Sequence, residues 1–192
     1  MEQPEISAAT EADLGALLAL IEGAYRGDSA RRGWTHEADL LGGQRTDEET
    51  LAEIVRDPQQ AMLVARAGEA LVGCVQLAWR GGGTAYLGML SVDPSLQGGG
   101  LGRRLIEAAE REAALRFGAR GIEMTVIEQR AELIAYYVRR GYAVTGERRP
   151  FPLDDPRFGI PRTRALAFVV LAKPIGPASE EQLAQRDPDG AA

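Results

Sequence analysis

Apolar residues recur at helical spacing in two early stretches of the chain. Leu14, Leu17, Leu18 and Ile21 make one face of a helix that Thr10 starts, with Asp13 three residues on as the second half of a capping box. Leu51, Ile54 and Val55 make the face of a second helix, capped by Thr46 with Glu49. Between them, residues 23–45 hold scattered glycines and no sustained period, which predicts a long loop with one helical turn. A loop of that length in a compact domain is usually functional or disordered. After "DPQQ" the texture changes. "AMLVAR", "ALVGCVQLAW" and "AYLGMLSVD" are dense in apolar, β-forming residues and are parted by "AGE" and "RGGG", which predicts three strands joined by tight turns. A helix follows from Leu101, with Leu105, Ile106, Ala109, Ala113 and Phe117 on one side and Gly118 as its stop. "GIEMTVIE" predicts a strand and "RAELIAYYVRRGY" a short helix ended by Gly141. Two last strands fall near residues 142–146 and 165–171, on either side of the proline-rich "RRPFPLDDPRFGIPR". Beyond Lys173 the chain is polar and proline-interrupted, so one domain is expected over residues 1–173 and a disordered tail over 174–192.

Composition narrows the function classes. The 192 residues suffice for one well-buried core and are short for two; 45% apolar and 26% charged residues are ordinary for a globular domain. No apolar run reaches the length of a membrane span, and "MEQPEISAATEADL" lacks the basic start and apolar stretch of a signal peptide. A cytoplasmic location is therefore expected, without a membrane partner. A single cysteine, Cys74, excludes an internal disulfide. One cysteine and one histidine cannot supply the usual zinc ligand sets, and no carboxylate cluster suggests magnesium, so no metal is expected. Of the net charge of -6, residues 174–192 carry -3, which leaves the body too mildly charged to name a partner. Nothing resembles the basic footprint of a nucleic-acid binder. Lys173 is the only lysine against 21 arginines, a bias typical of a GC-rich genome that discounts arginine clusters as functional evidence.

The densest glycine run, "DPSLQGGGLGRR" over residues 93–104, stands between a strand and a helix. In that position glycines bare the free N–H groups of the first helical turn, and the helix dipole favours an anion there. A flexible turn would not need so many glycines, so a phosphate cradle is the stronger reading. A P-loop is excluded, because Gly102 is followed by Arg103 and Arg104 rather than Lys and Ser or Thr. A dinucleotide fingerprint begins at Gly100 and Gly102 but finds Leu105 in place of its third glycine, and it lies mid-chain rather than in an early βαβ unit; only Glu128 imitates its ribose acid.

Gln97-x-x-Gly100-x-Gly102, led by "LSVDP" and followed by an amphipathic helix, resembles the pyrophosphate-binding motif of the GNAT acetyltransferases. The order of elements agrees, and "YYVRRGY" resembles the family's Tyr-x-x-x-Gly-aromatic segment. The resemblance spans roughly residues 5–173. It implies an α+β fold of three layers, with helices on both faces of a mixed, mostly antiparallel sheet that splays in the middle. It further implies acetyl-CoA as cosubstrate and direct attack by an amine on the acetyl thioester in a ternary complex. On this resemblance Gly98, Gly99, Gly100, Leu101, Gly102 and Arg103 hold the pyrophosphate, with Gln97 at the head of the motif. Backbone groups of Leu90, Ser91 and Val92 polarise the thioester oxygen, and Gly88 suits a strand that bends or admits another backbone. Tyr137, aligned on Gly141–Tyr142, is the expected general acid, with Tyr136 second to it and core packing the competing role for either.

Where many relatives carry Asn, seven residues before that tyrosine, this chain has Arg130; it either meets the phosphates or lies exposed at a helix start. Glu123, Glu128, Asp93, His36 and water all stand open as the base. The acceptor site is expected between the 23–45 loop and the last strands' connection, with Trp34 and His36 as substrate-contact candidates. Phe151, Asp154, Asp155 and Phe158 lie in the second of these segments. Asp28, Glu37 or Asp39 would bind a cationic amine; Arg31 and Arg32 would hold a carboxylate. Dimers are common in the family, and the sequence shows no interface. The expected activity is N-acetylation of a small amine or amino-acid derivative. Acetylation of a protein N-terminus or lysine would need an open groove. A non-catalytic acyl-CoA-binding module and a nicotinamide-dependent oxidoreductase remain as other classes.

Overall fold

Strands whose residues are apolar on both faces demand a helical layer on each side. The computed structural model describes residues 3–26 and 30–177. In chain order its elements are β1 (Glu5–Ala8), α1 (Leu14–Tyr25), β2 (Leu41–Gly42), α2 (Glu48–Arg56), β3 (Gln60–Ala67), β4 (Ala70–Gly81), β5 (Thr84–Val92), α3 (Leu101–Phe117), β6 (Gly121–Ile127), α4 (Ala131–Val138), β7 (Ala143–Pro150), β8 (Ile160–Pro161) and β9 (Ala167–Pro174). Met62, Val64 and Cys74 point into one core, against Leu17, Leu20 and Ile21 of α1 and Leu51 and Ile54 of α2. Their neighbours Leu63, Val75 and Leu77 point the other way, into a second core built on Leu105, Ile106 and Ala109 of α3. Alternation along one strand thus feeds two cores, which is why the strands read as nearly continuous apolar runs. The three-layer expectation holds.

Seven strands form the main sheet in the order β1-β3-β4-β5-β6-β9-β7. Every pairing is antiparallel except β5 with β6. That parallel pairing lasts only from Thr84 to Tyr86, opposite Gly121 to Glu123. Beyond it the strands part, and each keeps only its outer neighbour. Between the pairing of Cys74 with Ser91 and that of Gln76 with Gly88 the register shifts, with Met89 and Leu90 set against Val75 alone, so β5 carries a bulge where it turns away. Within that bulge Met89 adopts φ 47, the one positive value outside glycine among the described residues. Bulges of this kind re-aim a strand beside a site. Gly88, expected where the strand bends or admits another backbone, stands at the start of this bulge, and a Cβ there would lie 3.1 Å from the Tyr86 ring.

Several local expectations need correction. α1 runs on to Tyr25, and the 23–45 segment contains β2, which pairs with β8 from the proline-rich segment. The second helix is capped by Asp47, whose carboxylate accepts the Thr50 amide at 2.7 Å, and not by Thr46, which is buried. β7 continues to Pro150, past the predicted end near 146. β9 extends through Pro174, and the Ile175 amide bonds the Arg120 carbonyl at 2.9 Å, one and two residues past the expected boundary at 173. The remainder of the expected tail, from 178 on, lies outside the described residues.

Candidate active site

At the start of α3 the glycines have separate reasons. Gly98 and Gly100 take φ 88 and φ 83, left-handed values that cost other residues roughly 1–2 kcal/mol. Gly102 is needed for space, since a Cβ there would come within 2.6 Å of the Tyr136 hydroxyl. The helix's first hydrogen bond runs from the Arg104 amide to the Gly100 carbonyl at 3.1 Å, so the Leu101, Gly102 and Arg103 amides precede the ladder. No acid occupies this first turn. Arg103, Arg139 and Arg140 all exert their charge on Tyr136. Bare amides with three guanidinium groups around them are what an anion site requires.

A cleft of about 370 Å³ leads from this loop along the end of β5, between that strand and α4. The Asp93 amide bonds the Val72 carbonyl on β4, so alternation turns the backbone groups of Leu90 and Val92 away from β4. Their carbonyls are already used: Tyr25 Oη donates to Leu90 at 3.0 Å and Gln97 Nε2 to Val92 at 3.3 Å. Their N–H groups are left to face the cleft. Gln97 Oε1 accepts the Trp34 amide at 2.9 Å, so this side chain ties the loop carrying Trp34 to the end of β5. The Trp34 ring in turn packs on Tyr136, centroids 5.2 Å apart, and Tyr136 lies under the Arg140 guanidinium.

In the gap between β5 and β6 lies a smaller cavity of about 130 Å³, walled by Tyr86, Met124, Phe151, Phe158 and Phe168. Tyr25, Leu90, Arg130, Leu133 and Tyr137 line both cavities. β2 and β8 roof the smaller one, through Leu41 opposite Pro161 and an Arg162 amide bonded to the Leu40 carbonyl at 2.9 Å. Tyr137 is 5% exposed. Among the described residues its hydroxyl has no hydrogen-bond partner. Burial pushes that hydroxyl far above the usual tyrosine range, nearby Tyr25 adds to the shift and Arg130 opposes it, so Tyr137 stays protonated. Burial likewise pushes Tyr25 up to about 12.

Beneath this junction Glu37 is held between two arginines. Arg26 Nη1 meets Oε2 at 2.7 Å and Arg130 Nη1 meets Oε1 at 2.8 Å, with all three residues buried. Arg130 Nη2 also donates to Thr35 Oγ1 at 2.9 Å. Burial alone would raise the Glu37 carboxyl, but Arg130, Arg45 and Arg26 outweigh it and hold the group below the usual carboxylate range.

The structure sorts the sequence candidates. Leu90, Ser91, Val92, Gln97, Gly98, Gly100, Leu101, Gly102, Tyr137 and Trp34 all line the larger cleft, while Gly99 and Arg103 border it without lining it. Trp34 therefore stands on the glycine-loop side and not in the smaller cavity. His36 lines neither cavity, and its Nε2 lies 3.9 Å from Asp39. The other base candidates are committed elsewhere: Glu123 and Glu128 pair with Arg149 and Arg148, and Asp93 caps Ser95. Arg130 is neither exposed nor turned to the glycine loop, because Glu37 holds it. Asp39 is exposed against Arg31, Asp154 and Asp155 pair outward with Arg164 and Arg157, and Asp28 lies outside the described residues. Tyr25, Arg45, Arg139 and Arg140 were missed by sequence reasoning. The last two sit inside the quoted "YYVRRGY" and were discounted with the other arginines.

Residues 26–142 match the acetyltransferase (GNAT) family. This chain belongs to the GNAT acetyltransferases. It is 33% identical over 158 residues to an IAA acetyltransferase of Azospirillum brasilense, covering 79% of this chain and 93% of that one. Among solved structures it is similar to the ribosomal-protein-S18-alanine N-acetyltransferase of Escherichia coli, at TM-score 0.65 and 20% identity over 92% of this chain and 97% of that one. It is also similar to yncA of Salmonella typhimurium with its cofactor acetyl-CoA, at TM-score 0.67 and 18% identity over 93% and 97% of the two chains.

A GNAT acetyltransferase is an acetyl-CoA-dependent acyltransferase, and the residues present fit that cosubstrate. Bare amides with arginines at one end suit a pyrophosphate, and outward N–H groups on β5 suit an extended amide-bearing arm. Changing Gly100 to Glu tests the cradle, since it forces a side chain into a left-handed position and sets a carboxylate beside the phosphate site. Like charges brought together cost several kcal/mol, so calorimetry is expected to show acetyl-CoA affinity falling at least about 100-fold. Unchanged affinity would remove the cradle from the site.

Proposed function

We propose that this GNAT acetyltransferase moves the acetyl group of acetyl-CoA to a primary amine of a small molecule, by direct attack in a ternary complex. The observation that carries the reading is the meeting of two cavities at Tyr137. The larger takes the cosubstrate from the glycine side; the smaller takes the acceptor from beneath the β2–β8 roof. Amides of the loop and first helical turn, residues 98–103, hold the pyrophosphate. The Leu90 and Val92 N–H groups lie along the strand edge that receives the thioester arm and stabilise charge developing on its oxygen. A C–N bond forms and the C–S bond breaks. Tyr137 gives its proton to the departing sulfur and regains one from solvent. The amine's own proton passes to water, because among the described residues Glu37 is the only acid lining either cavity and both its oxygens are engaged.

A roofed cavity of about 130 Å³ favours a small acceptor over a peptide segment. Thiol release from acetyl-CoA, followed across amino acids, aromatic and aliphatic amines and short peptides, tests this. Saturable release with a small amine and only background release with peptides is expected. Tight acetyl-CoA binding with background release throughout would sink the transfer reading and leave a non-catalytic acyl-CoA-binding module.

A further inference from the structure

Positive charge in the smaller cavity exceeds what its one carboxylate can use. Glu37 spends one oxygen on Arg26 and the other on Arg130. Arg45 lines the same cavity, half-buried, with its guanidinium 5.2 Å from the Tyr25 ring centroid. It raises no ion pair and no side-chain hydrogen bond among the described residues. Its backbone is nevertheless fixed, since Glu22 Oε1 accepts the Arg45 and Thr46 amides at 2.5 and 3.0 Å. Arg130 is 9% exposed, and its Nε is buried without a hydrogen-bond partner among the described residues. The two guanidinium groups that line the cavity, Arg45 and Arg130, stand against its one carboxylate, which Arg26 shares from behind, and leave a surplus of one positive charge with donors still unmet. Unmet buried donors are costly, and an arginine fork is matched to carboxylate or phosphate oxygens.

We infer that the acceptor carries an anionic group, which Arg45 and the free Nε of Arg130 receive, while its apolar body lies against the Phe151, Phe158 and Phe168 wall. With its amine directed to Tyr137, such an acceptor is an amino acid or related amino-carboxylate with an apolar or aromatic side chain. The same surplus charge disfavours an ammonium ion in the cavity and so favours the neutral amine that attacks. This assignment rests on the smaller cavity being the acceptor site.

Calorimetry on the full chain with CoA present tests the assignment without requiring turnover. The probes are 3-phenylpropionate, L-phenylalanine, 2-phenylethylamine and phenyl phosphate. Both carboxylates are expected to bind at least about 10-fold more tightly than the carboxylate-free amine, the scale of one charge-assisted contact. Arg45→Gln is expected to remove that advantage and Arg45→Lys to restore part of it. Acetyl-CoA affinity within about twofold of the parent would show the variants folded. Phenyl phosphate binding above both carboxylates, and lost in Arg45→Gln, would keep the anion site and assign it to a phosphate. Equal binding of the amine and the acids, no binding of any anion, or acids indifferent to Arg45→Gln would overturn the assignment. Acids that bind through Arg45 while L-phenylalanine releases no thiol would overturn the transfer reading alone.

Discussion

Tyr137→Phe is expected to lower kcat by about 10²–10⁴-fold, the usual contribution of a positioned general acid. The acetyl-CoA dissociation constant should stay within about twofold, since a group that acts only as bonds change affects kcat and not ground-state binding. The substitution is unusually clean here. Phenylalanine keeps the ring, and with it the edge contacts to Tyr136 and Tyr142 at centroid distances of 5.4 and 5.9 Å. The deleted hydroxyl has no partner to strand among the described residues, so no buried donor or acceptor there is left unmet. Tm is therefore expected to hold or rise slightly. A raised pKa keeps the tyrosine in its donating form as pH climbs through neutrality, so the parent should show no loss of rate attributable to its ionisation there. Single-turnover kinetics with calorimetry and a melting curve on the same variant give all three readings. Unchanged kcat would return Tyr137 to the core aromatics.

What the sequence disclosed and what it hid follow from the range of the forces involved. β3, β4 and α3 were legible because their residues meet helix or sheet on the faces that the apolar pattern marks. The glycine loop was legible because the left-handed angles at Gly98 and Gly100 can be met by few residues other than glycine. β2 and β8 were not. Each is two residues long, without periodicity, and becomes a strand only because a partner about 120 residues away supplies its hydrogen bonds. Glu37 was hidden for the same reason. An acid in a glycine-bearing loop reads as solvated, and nothing local says that Arg26 and Arg130, 11 and 93 residues away, fold over it. The arginine bias compounded this: among 21 arginines, the few that line the cavities carry no mark in the sequence.

Glu37→Gln should be the most destabilising single change at the site. Glutamine matches the shape and keeps an acceptor, but it leaves Arg26 and Arg130 buried with no opposing charge. Breaking a buried pair from one side costs about 3–5 kcal/mol. For a chain of this length that lowers Tm by on the order of 10 °C. Arg130 is the N-cap of α4, the helix that carries Tyr137, so its release should also lower kcat. Acidity supplies an independent check on the cause. The folded Glu37 carboxyl lies below its ordinary value of 4.5, so its stabilisation is complete above that pH and fades as pH falls through the depressed folded value. The gap in Tm between parent and variant should accordingly be widest at neutral pH and narrow as the solution is acidified below 4.5. A gap that stays constant across that range would mean that shape, and not the charge of Glu37, holds the two arginines in place.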